Sequence, residues 1–360
     1  MKTKWIAFLL AVLTVLSAAG CASSPAIMEY ENKKITSNMY RYWLSTYKGT
    51  FMQTYTDMKD SDEFWNSLLY EDVTAEQYLN TAVTENVKRM LVCSTQFDKL
   101  GLKLTDAAVE DINAYIETLI TERADGSRNA FNQMLAQYGI NIDMLREIYL
   151  MEDKTSMLFS RLYAKGGERE LSDEAREEFC QEHYVRVRHI YVNNAYVYDT
   201  NEEGQIGYDE SGMLKTRELT DAEKAEKAAK IAAIDKALAA GTDFEEVYET
   251  YSEDLYYKNG YYLSATTSFI PSVITAAFSL EMGEWKRVES DYGVHYILRM
   301  EMDEKPYENE ENADFFSTFE TDAQNDDFLN WTDELISQVE VDEEELQKYS
   351  IRDAVPNYSI

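Results

Sequence analysis

The hydrophobic pattern of this 360-residue chain changes its period twice, and these changes limit the folds that it can adopt. Apolar residues recur at helical spacing from about 37 to 184, strand-like and helical stretches alternate over 185–302, and one long helical pattern covers about 313–339. This last pattern is amphipathic, so its apolar face needs a partner, and the N-terminal helices are the obvious one. We therefore predict an α+β protein in which a mixed domain is inserted into a helical lobe built from both ends of the chain.

Local signals mark the boundaries of several predicted helices. Thr74 with Gln77, and Thr220 with Glu223, form capping-box patterns at the starts of two of them. The stretch 195–219, which directly precedes the second of these helices, is polar and interrupted by glycines, which indicates a hairpin-like insertion.

The N-terminus predicts the compartment. Two lysines precede an apolar run over 5–16, which is too short to span a bilayer, and "SAAGC" follows. This pattern resembles a bacterial lipoprotein signal, with cleavage after Gly20 and a lipid on Cys21, although Ala18 stands where leucine is usual. An ordinary secretory signal that ends near a cysteine is the alternative.

Composition excludes some classes of function. A formal net charge of −33 disfavours binding to nucleic acid or to an anionic lipid surface, and 45% hydrophobic residues are enough for a sizeable core. With Cys21 assigned to lipid, Cys93 and Cys180 remain, either as a disulfide or as buried free thiols. No residue spacing indicates a metal site or a cofactor site.

Two of the three histidines in the chain lie within strand-like stretches. His189 is part of "VRVRHIYV" (185–192), and His295 is part of "SDYGVHYILRM" (290–300). Alternate residues of a strand share a face, so the two imidazoles meet if these strands are neighbours. A single histidine in a strand is more often a core residue, but two out of three favour a site.

The segment 185–302 resembles the parvulin family of peptidyl-prolyl isomerases. The resemblance depends on "RHIYV" at the first strand, "AAFSLEMGE" (276–284) and "YGVHYILRM" (292–300), which follow each other in the order of that family. The helices on either side, together with the lipoprotein-like signal, resemble PrsA-type and SurA-type extracytoplasmic foldases, in which both ends of the chain form a chaperone lobe around the parvulin domain.

The resemblance implies a small antiparallel sheet flanked by helices and gives approximate domain boundaries. These are a signal peptide at 1–20, an N-terminal chaperone lobe at 21–184, a parvulin domain at 185–302 with the insertion 195–219, and a C-terminal segment at 303–360 that packs on the N-terminal lobe.

The same resemblance assigns roles to three polar residues. His189 and His295 match the paired strand histidines of the family, which implies a hydrogen-bonded pair at the floor of the catalytic site. Asp254 falls where the family has an aspartate or a cysteine beside the substrate carbonyl, which implies an electrostatic role.

Five further residues are implied to bind substrate. Phe269, Val273 and Phe278 match positions that wall the proline pocket, and Ser290 and Tyr292 precede His295 and are expected to line its edge. For the apolar residues, plain core packing is the alternative.

The sequence also departs from the family. The glycine-rich "GGDLG" stretch is replaced by "GYYLS" (260–264), and the pocket residues differ in size from the usual methionine and phenylalanine. We therefore keep two predictions. The first is a membrane-anchored extracytoplasmic foldase of a bacterial cell, which isomerises X-Pro bonds in unfolded secreted polypeptides and also holds them. The second is a chaperone whose parvulin domain is weak or inactive. A lipoprotein scaffold or a solute-binding protein is a third class of function.

Overall fold

The computed structural model describes residues 24–55, 58–70, 72–200, 207–209, 211–254, 256–358 and 360. Two compact units divide the chain. Unit 1 consists of the described residues within Met1–Glu170 and Asp326–Ile360, and unit 2 consists of those within Leu171–Asn325. The predicted signal peptide and Cys21 lie outside the described residues.

Long helices and short strands make up the first part of unit 1. In chain order they are β1 (Ala26–Tyr30), β2 (Lys33–Thr36), α1 (Ser37–Thr54), α2 (Asp62–Trp65), β3 (Leu68–Tyr70), β4 (Val73–Thr74), α3 (Ala75–Lys99), α4 (Asp106–Ala124), α5 (Arg128–Ala136) and α6 (Ile142–Leu162).

Polar side chains fix where these helices begin. The side chains of Thr36, Thr74, Thr105, Ser127 and Asn141 each accept a hydrogen bond from the backbone N–H three residues later. Each bond satisfies a donor that has no partner inside its helix. The predicted capping box at the start of α3 is present in full.

The core of unit 1 forms where α3 and α6 pack together. Val83, Val87 and Leu91 on α3 are completely buried, and so are Leu145 and Ile148 on α6. Their spacing of three or four residues places each set on one helical face, as the sequence pattern predicts.

Unit 2 contains the mixed region. Its elements in chain order are α7 (Asp173–His183), β5 (Tyr184–Val192), β6 (Val197–Tyr198), β7 (Thr216–Arg217), α8 (Asp221–Ala239), α9 (Phe244–Tyr251), β8 (Tyr261–Ser264), α10 (Pro271–Ser279), β9 (Trp285–Ser290) and β10 (Gly293–Met300).

A four-stranded antiparallel sheet is the centre of unit 2. Its strand order is β8–β5–β10–β9, so the two histidine-bearing strands β5 and β10 are direct neighbours. Helices α8 and α9 cover one face, where Ile190 and Tyr296 are buried, and α10 covers the other, where Val187 and Ile297 are buried. His189 and His295 lie on the α10 face, because they alternate with Ile190 and Tyr296 along their strands.

The C-terminal residues supply the last elements, which are α11 (Phe319–Ile336), β11 (Glu340–Val341) and α12 (Glu343–Leu346). Strand β11 pairs with β1, so a three-stranded sheet in the order β11–β1–β2 joins the two ends of the chain within unit 1. Phe328 of α11 packs edge-on against Phe159 of α6, with ring centroids 5.3 Å apart. Helix α11 is shorter than the predicted helical pattern at 313–339, because residues 313–318 form turns and the helix ends at Ile336.

The structure confirms the predicted α+β fold class. It also decides between the two alternatives for the cysteines, because Cys93 and Cys180 are both buried and free. Burial raises the pKa of each thiol to about 12, so both remain protonated at neutral pH. Within the described ranges, no helix combines the length and the apolar character that a membrane span requires.

Candidate active site

The register of β5 against β10 brings the two imidazoles together. His189 lies opposite Ile297, and His295 lies opposite Tyr191, so the histidines are diagonal neighbours on one face of the sheet. His189 Nε2 and His295 Nδ1 are 2.9 Å apart, and the two rings are nearly parallel. Both residues are buried, with 4% and 0% of their surface exposed. The contact expected from the alternation of the two strands is therefore present.

Asp254 extends this pair on one side. Its Oδ2 atom lies 2.9 Å from His189 Nδ1 and 2.5 Å from the hydroxyl oxygen of Tyr261. The loop that carries Asp254 is fixed to β5, because the Ser252 hydroxyl accepts the N–H groups of both Tyr191 and Asp254. The carboxylate is thus held in place by its own side-chain bonds and by the backbone of its loop.

Ser290 extends the pair on the other side. Its hydroxyl oxygen is 2.7 Å from His295 Nε2 and accepts the backbone N–H of Tyr292 at 3.1 Å. Ser290 ends β9, and the tight turn to β10 brings Tyr292 to the rim of the site. Tyr191 stacks on His295 with ring centroids 5.0 Å apart, and its hydroxyl donates to the Tyr292 carbonyl at 2.8 Å.

Asp254, His189, His295 and Ser290 form a hydrogen-bonded series. When both imidazoles are neutral, only one arrangement of protons gives every bond of this series one donor and one acceptor. A carboxylate can only accept, so His189 Nδ1–H donates to Asp254, and His189 Nε2 then accepts from His295 Nδ1–H. His295 Nε2 in turn accepts from the Ser290 hydroxyl. The result is a directed series of hydrogen bonds that runs from Ser290 to Asp254.

The pKa directions agree with this arrangement. Burial, together with the neighbouring His189, lowers the pKa of His295 to about 4, so His295 is neutral at pH 7. For Asp254, burial would raise the pKa, but the hydrogen bonds from His189 and Tyr261 outweigh burial and lower it below its usual value. Burial and the contact with Asp254 raise the pKa of Tyr261, so its hydroxyl remains a donor.

A cavity of about 1080 Å³ opens over the hydrogen-bonded series from Ser290 to Asp254. His189, Asp254 and His295 line it from below, and Phe269 and Tyr292 contribute to its sides. Phe269 presents its ring edge-on to His189, with centroids 5.8 Å apart, and does not fill the cavity. The cavity therefore combines a hydrogen-bonded floor with aromatic walls, as ligand sites commonly do. Within the described residues, no cluster of His, Cys, Asp and Glu side chains is arranged to hold a metal ion.

Three of the predicted substrate-binding residues do not line this cavity. Val273 is completely buried in the core between α10 and the sheet, with Ala276 and Ala277 on the same helical face. Phe278 follows this face by one residue, so it turns outward and is 40% exposed. Ser290 contacts the site through His295 and through the backbone N–H of Tyr292. Val273 therefore packs in the core, which is the alternative that the sequence left open for the apolar residues.

Sequence reasoning missed several tyrosines of the site. Tyr191 shares a strand face with His189, and this alternation was a usable signal. Tyr196 and Tyr198 line the cavity from the insertion, and Tyr256 lines it from the loop after Asp254. No periodic pattern marks these three residues.

The altered glycine-rich stretch keeps the glycine that the backbone needs. Gly260 has φ +94°, and a Cβ atom there would lie 2.8 Å from the carbonyl oxygen of Val187. The next residue, Tyr261, adopts an ordinary strand conformation in β8, and its hydroxyl reaches Asp254. The sequence departure therefore falls where the structure tolerates a side chain.

A family model with the description PPIC-type PPIASE domain matches residues 184–302. Residues 184–302 are a PPIC-type peptidyl-prolyl isomerase domain. The parvulin resemblance found in the sequence is therefore confirmed for this segment, which contains the whole hydrogen-bonded series of the candidate site. The isomerase domain is the part of the chain to which catalysis belongs.

Solved structures similar to the whole chain include two PrsA proteins. PrsA from Bacillus subtilis is 16% identical over 91% of this chain and 92% of that chain, with a TM-score of 0.24. Foldase protein PrsA from Streptococcus pneumoniae is 20% identical over 78% of this chain and 96% of that chain, with a TM-score of 0.22.

A third structure comes from a study of two SurA-like chaperones of Campylobacter jejuni. It is 12% identical over 89% of this chain and 98% of that chain, with a TM-score of 0.24. The search among curated proteins gave no match.

Proposed function

We propose that this protein is a lipid-anchored extracytoplasmic foldase that catalyses cis/trans isomerisation of X-Pro bonds in unfolded secreted polypeptides. The observation that carries the proposal is the hydrogen-bonded series from Ser290 through His295 and His189 to Asp254 beneath an open cavity. The isomerase domain supplies the reaction class, and the lipoprotein-like N-terminus supplies the location.

The reaction needs a shaped site and no bond chemistry. Rotation about an X-Pro bond meets a barrier of about 18–20 kcal/mol because the twisted amide loses its resonance, and the uncatalysed exchange takes roughly tens to hundreds of seconds. An acceleration of about 10⁴-fold requires only about 5.5 kcal/mol of binding that favours the twisted amide. A cavity with a fixed polar floor suits this task.

The charge of Asp254 explains how the site would bind the twisted amide more tightly than the planar amide. Resonance in the planar amide places partial negative charge on the carbonyl oxygen, and twisting removes part of that charge. A carboxylate next to this oxygen repels the planar form more than the twisted form. The bonds from His189 and Tyr261 hold Asp254 ionised and fixed, and the Phe269 ring offers an apolar surface to the proline.

The test is an isomerisation assay on a short proline peptide with the wild type and two variants. We expect His295→Ala to reduce turnover strongly while the circular dichroism of a folded protein remains, because the series from Ser290 to Asp254 is interrupted. The matched control is His183→Ala, which removes the one histidine outside the cavity and should leave turnover unchanged.

Because His295 is fully buried, Ser290→Ala is the second test of the same series. This variant removes the hydrogen bond to His295 Nε2 and the acceptor of the Tyr292 backbone N–H, and it should also lower turnover. Unchanged turnover in folded forms of both variants would remove the series from the mechanism.

A holding activity is the second function that an observation favours. In unit 1, the hairpin β3–β4 and the start of α3 expose large apolar side chains, among them Leu68 at 62% and Tyr70 at 61%. Tyr78 packs against Tyr70 with ring centroids 5.7 Å apart, which makes the surface continuous. Exposed apolar patches of this kind commonly mark sites of protein binding.

Aggregation of a denatured client measures the holding activity separately from catalysis. We expect the wild type and His295→Ala to suppress aggregation equally, and Leu68→Ser with Tyr70→Ser to suppress it less. If wild-type turnover does not exceed background while suppression is intact, the protein is a holding chaperone alone. Equal suppression by the serine variant would refute the assignment to this surface.

The lipid anchor has its own test. We expect Cys21→Ser to move the protein from the membrane fraction to the soluble fraction, because the lipid would be attached to that sulfur. Membrane retention of a processed Cys21→Ser protein would contradict the anchor and leave the isomerase proposal in place.

A further inference from the structure

The cavity over the histidines extends beyond the part that a proline ring needs, and this outer part is rich in tyrosine. Five tyrosines line it: Tyr191, Tyr196, Tyr198, Tyr256 and Tyr292. Three of them present much of their surface to solvent, with Tyr256 at 82%, Tyr292 at 51% and Tyr198 at 42%. Three tyrosine side chains of one cavity are therefore accessible from solvent.

The insertion is built into this wall. Tyr198 lies in β6 and pairs with Thr216 of β7, and its ring meets that of Tyr196 edge-on at 5.6 Å. Asn193, just before the insertion, accepts the N–H of Tyr196 and donates its own N–H to Glu253 at 3.0 Å. Because Glu253 directly precedes Asp254, the root of the insertion is fixed to the loop that carries the carboxylate of the site.

Charge around the cavity favours cations. Six carboxylates and two cationic side chains lie within 195–219, which gives the insertion a net charge of −4, in a chain of −33. Lys227, the one ammonium group that lines the cavity within the described residues, is paired with Glu253 at 2.6 Å, and Lys230 pairs with the same carboxylate at 2.9 Å. Asp254 adds a further carboxylate at the floor. An acidic peptide is repelled by this field, and a basic one is attracted.

We infer that the tyrosine wall is a subsite for a cationic side chain, so that the preferred clients carry lysine or arginine next to the proline. The face of a tyrosine ring attracts a cation within about 6 Å of its centre, and several such faces surround one cavity here. This inference rests on the proposed isomerase function, since it names the class of substrate for the same site.

Three peptides that differ in one residue next to proline measure the preference. Lysine is compared with norleucine, which has the same chain without the charge, and with glutamate. A cation over one exposed ring is worth roughly a two- to fivefold effect. We expect kcat/KM to be highest for lysine, about two- to fivefold lower for norleucine, and lowest for glutamate.

Salt separates the two sources of the preference. The general field of the acidic chain acts over the Debye length, which falls from about 10 Å at 0.1 M salt to about 3 Å at 1 M. We expect the penalty on glutamate to shrink at high salt, whereas the advantage of lysine over norleucine persists because it depends on direct contact with the rings. Loss of both effects together would overturn the assignment to the rings.

Two variants of the insertion complete the test. Tyr196→Leu combined with Tyr198→Leu should bring the lysine-to-norleucine ratio towards one, and Phe at the same positions should keep the ratio above one. The matched control is Tyr208→Leu, because Tyr208 belongs to the same insertion and is 63% exposed but does not line the cavity. It should leave the ratio unchanged.

The outcomes distinguish this inference from the proposed function. If the wild type isomerises none of the peptides, the proposed function fails. If it isomerises all three with equal kcat/KM, the isomerase stands and the cation subsite is wrong. If the double leucine variant keeps the full lysine preference, the preference arises from residues other than the insertion tyrosines, and the inference is likewise overturned.

Discussion

The substitution Tyr261→Phe tests the hydrogen bonds that hold Asp254, since it removes the one oxygen that donates to this carboxylate from Tyr261 and keeps the ring. The ring packs against Phe269 at 5.3 Å and Tyr257 at 4.9 Å, and these contacts survive the substitution. The hydroxyl donates to Asp254 at 2.5 Å in a site where Tyr261 is only 9% exposed. A hydrogen bond to a charged group contributes about 1.5–3 kcal/mol, so the free energy of unfolding should fall by about this amount at pH 7.

The same substitution should change the pH dependence of activity. Loss of one of its two side-chain donors raises the pKa of Asp254, so the acid limb of the pH–rate profile should move to higher pH. A carboxylate with a lowered pKa stabilises the fold above its unfolded pKa, and this stabilisation is lost as the pH falls through the folded pKa. The difference in stability between the wild type and Tyr261→Phe should therefore narrow in acid.

Tyr262→Phe is the matched control for this experiment. Tyr262 is the next residue of β8, is completely buried, and also donates to an aspartate at 2.5 Å, in this case Asp303, which does not line the cavity. It should lower stability without moving the acid limb. If Tyr261→Phe changes stability by less than about 0.5 kcal/mol and leaves the acid limb in place, the Tyr261 hydroxyl does not hold Asp254, and the reasoning is wrong.

Three further predictions concern pH and backbone geometry. Activity should be lost as the pH falls through about 4, where His295 gains a proton and can no longer accept from its neighbour; rising activity below pH 6 would contradict this. Stability should also decline from about pH 6.5 downward, since the unfolded histidine protonates first, and a stability that stays constant between about pH 6.5 and 4 would contradict this second expectation. Gly260→Ala should lower the free energy of unfolding by about 2–5 kcal/mol, because a Cβ atom there meets a backbone carbonyl at 2.8 Å. Gly241 has φ +80° and open space around it, so Gly241→Ala should lower the free energy of unfolding by only about 1–2 kcal/mol, as measured by urea unfolding. Gly49→Ala places its Cβ atom 1.8 Å from a carbonyl oxygen of the C-terminal segment, so that segment should exchange amide hydrogens faster in the variant, and unchanged exchange would refute the close contact.

The fold could be predicted where one local pattern determined the outcome. The alternation in β5 and β10 placed both histidines on one face of their strands, and the capping pairs at Thr74 and Thr220 fixed two helix starts. The exact register between β5 and β10 could not be read from the sequence, because it depends on packing against α8, α9 and α10 on both faces of the sheet.

The site was predicted less completely, for two physical reasons. An apolar residue on a helix has the same appearance in sequence whether it packs in the core or lines a cavity, so the sequence does not distinguish these two roles for Val273 and Phe278. The insertion has no periodic pattern, so nothing in it distinguished the tyrosines that reach the cavity, Tyr196 and Tyr198, from Tyr208, which does not.

The altered glycine-rich stretch shows how a departure from a family pattern can be compatible with the site. A glycine is needed only where the backbone has a positive φ and approaches β5 closely, and Gly260 meets both conditions. At the next position the strand conformation accepts any residue, and the side chain of Tyr261 extends to Asp254. The carboxylate therefore has two neutral donors, His189 and Tyr261, on a single oxygen, Oδ2, while its Oδ1 atom accepts only the backbone N–H of Tyr256 in the described structure. This arrangement keeps Asp254 ionised at the cavity floor, where the proposed mechanism requires its charge.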